Sequence, residues 1–82
     1  LEKDKNNNLA ISPNPINDYL KVEINKGLIS DVSVYNLNGQ RILEKPVFNQ
    51  SVLINTESLS KGIYILRVKF SNKVVNKKIV KH

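Results

Sequence analysis

From Leu9 onward the chain consists of short apolar runs, each four to nine residues long and closed by turn residues, and no apolar stripe keeps a helical spacing over a useful length. A chain punctuated every ten residues or so can bury its apolar side chains only as a stack of short strands. The runs predict seven: Leu9–Ser12, Tyr19–Ile24, Ser30–Asn36, Gln40–Lys45, Ser51–Asn55, Gly62–Phe70 and Lys73–Lys81. The fold class expected is all-β, an immunoglobulin-like antiparallel β-sandwich of about seven strands.

Side-chain alternation assigns the faces. Leu20, Val22 and Ile24 share one side of their strand, with Lys21 and Glu23 on the other, as in a sheet with one solvated face. In the sixth run Tyr64, Leu66, Val68 and Phe70 face the core while Arg67 and Lys69 face out, so this strand is expected at the centre. The last run is mixed, with Val75 and Ile79 on one side, Val74 and Val80 on the other, and Lys77 and Lys78 between them. Such mixing predicts an edge strand, where lysines also discourage unwanted pairing. Asn38-Gly39 predicts a tight hairpin and Ser71-Asn72 a second one. Pro13-Asn14-Pro15 ends the first strand, because two positions lose an amide donor. Asn55-Thr56-Glu57-Ser58 could cap one helical turn at most.

Residues 1–8 are polar, with three consecutive asparagines, and are read as a linker from an upstream parent domain; residues 9–82 form the domain. With 82 residues the fold is small and its stability modest. No segment approaches the length of a membrane span, and the first residues contain no hydrophobic signal core. The absence of cysteine excludes disulfides and thiolate metal sites and leaves the compartment open.

The net charge of +6 is unevenly placed. Residues 1–57 carry six bases and seven acids, whereas residues 58–82 carry seven bases and no acid. The basic end suggests an anionic partner or, more plainly, a solvated lysine-rich sheet. Nucleic acid is not expected, because single-strand binders add stacking aromatics and here Tyr64 and Phe70 point inward, with no Trp in the chain.

Catalytic constellations are missing. The one histidine, His82, is the last residue and is read as frayed or a tag remnant; Asp18, Glu23, Asp31 and Glu44 share no spacing; the glycines are too scattered to cradle a phosphate. No enzyme, cofactor or metal site is expected. The most specific local pattern is Asn55–Tyr64, in which Leu59, a turn ending at Gly62 and Tyr64 at the start of a long strand match a tyrosine corner.

Three segments in this order carry a family resemblance: Pro13-Asn14-Pro15; the hairpin from Val32 to Gln40 with Asn38-Gly39; and Leu59-Ser60-Lys61-Gly62-Ile63-Tyr64 leading to Lys78-Ile79-Val80-Lys81. Together they resemble the C-terminal sorting domain (type A) of the Bacteroidetes type IX secretion system, over about Ala10 to Lys81. Ile11-Ser12 stands where that family often has an aromatic, and Asn36 where Asp is common.

The resemblance implies a β-sandwich at the end of a secreted protein that directs a periplasmic cargo across the outer membrane. The domain is then removed, and the cargo is released or anchored to lipopolysaccharide. It implies as partners the translocon, the cell-surface attachment machinery and a fused upstream cargo domain, and as location the periplasm in transit, then the outer-membrane surface or the medium. Lys77, Lys78, Ile79, Val80 and Lys81 become the expected translocon-recognition residues; Pro13, Asn14, Pro15, Asn38, Gly39, Leu59, Gly62 and Tyr64 become the fold-defining motif. The alternative is a carbohydrate- or surface-binding accessory module using Tyr19 or Tyr35. An exposed edge strand would also permit a dimer.

Overall fold

The computed structural model describes residues 2–4, 9–12 and 16–82. Among the described residues there are eight strands: β1 (Glu2–Asp4), β2 (Leu9–Ser12), β3 (Tyr19–Ile24), β4 (Ile29–Tyr35), β5 (Arg41–Asn49), β6 (Ser51–Asn55), β7 (Gly62–Phe70) and β8 (Lys73–Lys81). They form two antiparallel sheets, β1-β2-β3-β6 and β5-β4-β7-β8. The expected sandwich is therefore the observed one. Leaving β1 aside, three strands stacked on four in this order reproduce the A-B-E against C′-C-F-G arrangement of immunoglobulin-like domains.

Alternation places the core between the sheets. Leu9, Ile11, Leu20, Val22, Ile24 and Ile54 come from one layer, while Val32, Val34, Leu66, Val68, Phe70 and Ile79 come from the other. Ile16 and Leu59, both in loops, fill one end. β7 lies between β4 and β8, as its apolar content predicts.

Three local features depart from the sequence expectation. Glu2–Asp4 pairs with β2 through Glu2↔Ile11 to Asp4↔Leu9, a strand its polar composition conceals. β5 continues through Pro46 to Asn49, because an edge strand has a side on which no ladder amide is needed. A register shift opposite β4 there leaves Phe48 at φ 52° and 74% exposed. Third, Asn38-Gly39 is not a two-residue hairpin. Gly39 alone adopts positive φ, at 84°, its amide bonds the Asn36 carbonyl (3.1 Å), and the Asn36 amide bonds the Gln40 carbonyl (3.0 Å). This is a longer loop, and the Asn36 side-chain oxygen holds it by accepting from the amides of Asn38 and Gln40.

Ser71-Asn72 is the two-residue hairpin, with φ of 47° and 62° closing the Phe70↔Lys73 pair. Beside it the β3–β4 turn passes Gly27 at φ 89°, where an added Cβ would collide with the Ser71 hydroxyl. A side chain at position 27 would therefore have to displace that hydroxyl and adopt a backbone conformation that favours glycine.

Candidate recognition end of the sandwich

The opposite end gathers the segments that the sequence singled out. β2 and β6 finish there, β3 and β7 begin there, and β8 delivers the C-terminal residues to it. Asn38 and Gly39 sit on an exposed loop at the same end of β4 and β5. Pro13, Asn14 and Pro15 lie outside the described residues.

The side chains of β8 alternate. Counting from buried Ile79, odd positions point into the sandwich and even positions out. Lys78 is accordingly exposed and Val80 half-buried on the outer face, whereas Lys77 is half-buried on the inner side and Lys81 only 8% exposed. The five residues expected to be read together therefore divide: Lys78 and Val80 lie on the outward face, and Lys77, Ile79 and Lys81 on the inward one, where Ile79 and Lys81 are buried.

Lys81 is enclosed without a carboxylate. Its ammonium donates to the Thr56 carbonyl (2.8 Å) and to the Asn17 carbonyl. The Asn17 carbonyl also accepts from the Thr56 hydroxyl (2.8 Å), and the Thr56 carbonyl from the Leu59 amide (3.1 Å). The main chain is tied in alongside, since the Ile16 amide bonds the Val80 carbonyl (2.8 Å) and the His82 amide bonds the Ile16 carbonyl (3.2 Å), a parallel bridge. A buried cation is tolerated only when such partners replace water. The result is a clasp that fastens the chain end to the loops before β3 and after β6. Thr56 and Asn17 have no mark in the sequence, because each contributes a carbonyl that any residue owns.

Next to the clasp, the Tyr64 phenol donates to the Ser60 carbonyl (2.6 Å), and Gly62 takes φ 152° opposite Lys81. A tyrosine at the start of the F-equivalent strand bonding back into the preceding loop is a tyrosine corner. Tyr64→Phe should lower stability by about 1–2 kcal/mol, as read by urea denaturation, because the part-buried Ser60 carbonyl loses its donor.

Other surface features are less concentrated. Tyr19, 51% exposed, lies on the outer face of one sheet and half-buried Tyr35 on the outer face of the other, so they form no common platform. A cleft of about 170 Å³ between Asp31, Arg41, Glu44, Arg67 and Lys69 is crossed by the Arg41–Glu44 ion pair (3.3 Å) and is smaller than the roughly 300–1,000 Å³ of small-molecule sites. No cluster of three or more metal-ligating side chains occurs among the described residues.

A family model described as a secretion system C-terminal sorting domain matches residues 10–82. The chain belongs to the family of type IX C-terminal sorting domains. No curated protein matches this sorting domain. Among solved structures it is similar to PorZ, an essential bacterial surface component of the type-IX secretion system of Porphyromonas gingivalis, at 16% identity and a TM-score of 0.70. That similarity covers 90% of this chain and 11% of the PorZ chain, so the sorting domain corresponds to a small part of that protein and shares its fold there. Membership of the family carries a role in type IX sorting and, with it, export across the outer membrane to the surface or the medium.

Proposed function

We propose that this domain is a non-catalytic C-terminal signal that directs a fused periplasmic cargo through the type IX translocon, and that the outward side of β8 is what the translocon reads. Residues 1–8, of which Glu2–Asp4 pairs with the sheet as β1, lead to the cargo, and the domain is afterwards removed or exchanged for a lipopolysaccharide anchor by the surface attachment machinery. The observation that carries this is the division of the terminal motif: exposed Lys78 and half-buried Val80 lie on the outward face of a β8 tied in by the clasp. Because no acid follows Glu57, that surface favours an acidic counterpart.

The test is a fusion of the domain behind a signal peptide and a reporter in a type IX-competent host. Lys78→Glu should reduce export by about tenfold while leaving the melting curve unchanged, because an exposed side chain supports no core contact. Export at the parent level by this folded variant would remove Lys78 from the recognition surface.

A further inference from the structure

We propose that β8 accepts an added strand from an acidic partner along Val74–Lys78, so that open backbone groups, rather than the terminal lysine, form the recognition edge. The identity of the partner as part of the export machinery rests on the sorting function proposed above; the edge itself does not.

Two independent observations fix which backbone groups are open. The two-residue turn closes on the Phe70↔Lys73 pair, which directs the amides and carbonyls of odd-numbered β8 residues to β7. At the other end, the Val80 carbonyl and His82 amide bond Ile16, which directs even-numbered residues away from β7. Val74, Asn76 and Lys78 therefore each turn one N–H and one C=O to the outer side of an edge strand. No backbone hydrogen bond reaches those groups among the described residues. The open stretch is bounded by the Ser71-Asn72 turn and the Ile16 bridge, leaving room for about five residues, roughly 17 Å of strand.

Charge selects the occupant. Lys73 and Lys78 are exposed on β8, with Arg67 and Lys69 on the neighbouring strand. A second copy of β8 would add further lysines and no acid to meet them. An extended segment carrying Asp or Glu at alternate positions would instead meet cations while its backbone completes the ladder, the mode known as β-augmentation.

Proline at Asn76 isolates the edge. It removes an outward N–H and places its ring there, while the Val75 and Lys77 bonds to β7 remain, so the domain stays folded. The probe is a ten-residue peptide of alternating Glu and Val, titrated into the 82-residue chain by NMR. The expected result is slowed amide exchange at Val74, Asn76 and Lys78 and about tenfold weaker binding by folded Asn76→Pro. Absence of binding, protection elsewhere, or equal binding by Asn76→Pro would overturn the proposal. So would a dimer that Asn76→Pro abolishes, since the occupant would then be a second copy. Should Asn76→Pro fail to fold, Val74→Pro tests the same side of the strand.

In the export assay, parent-level export of folded Asn76→Pro would overturn the edge and leave the sorting function standing. Failure of the parent fusion to be exported would overturn the sorting function, and the peptide titration would still decide the edge.

Discussion

Replacing Lys81 by Met should lower stability by about 2–3 kcal/mol, because the buried Thr56 carbonyl and the part-buried Asn17 carbonyl both lose a charged donor. For a domain of this size that is a fall of about 10–20 °C in the melting midpoint, measurable by circular dichroism. Methionine keeps most of the apolar stem, so the loss reports on the ammonium and not on packing. A midpoint equal to the parent's would show that the Thr56 hydroxyl and the Leu59 amide, which already donate to these carbonyls, satisfy them without the ammonium. The sign also separates two roles for this lysine. If Lys81 were only an exposed contact for a receptor, its replacement would leave the fold untouched; enclosure at 8% exposure predicts the reverse.

Deleting Lys78–His82 should have a larger effect and unfold the domain at room temperature. The deletion removes Ile79, fully buried, whose burial is worth about 1.5–3 kcal/mol. It also removes the Lys81 clasp and both hydrogen bonds to Ile16, and leaves the end of β7 without its neighbour. The combined loss of about 5 kcal/mol equals or approaches the total stability of a small domain. Far-UV circular dichroism should therefore show loss of the β signal, and a truncated domain with a cooperative melt near the parent's would contradict the packing described. Loss of export on truncation would then report unfolding as much as a missing address, which is why outward substitutions such as Lys78→Glu are the informative ones.

Much of this architecture is legible in the sequence because strand periodicity is a strong constraint. Tyr64, Leu66, Val68 and Phe70 could face the core in only one register, and the tyrosine at the start of that strand finds its carbonyl four residues upstream. What stays hidden is of two kinds. Glu2–Asp4 and the far half of β5 are held by backbone pairing to strands already in place, which needs no apolar pattern of its own. Lys81 is hidden for a different reason, since lysine is ordinarily solvated and its enclosing partners are main-chain carbonyls. The one available signal is parity: Lys81 is two residues beyond Ile79 and hence on the buried side of β8. Residue type suggested an address label, whereas position in the strand indicated a structural fastening.

The clasp also sets a time order. It joins residues 64 and 25 positions apart in the chain, so closing its loops is costly in chain entropy until the sheets hold their ends together. All-β topologies dominated by such distant pairings fold slowly, in milliseconds to seconds. β8 is also the last of the eight described strands in chain order, so it can join the sheet only after β7 has been made. A receptor that requires an ordered β8 would therefore select domains in which the clasp has closed.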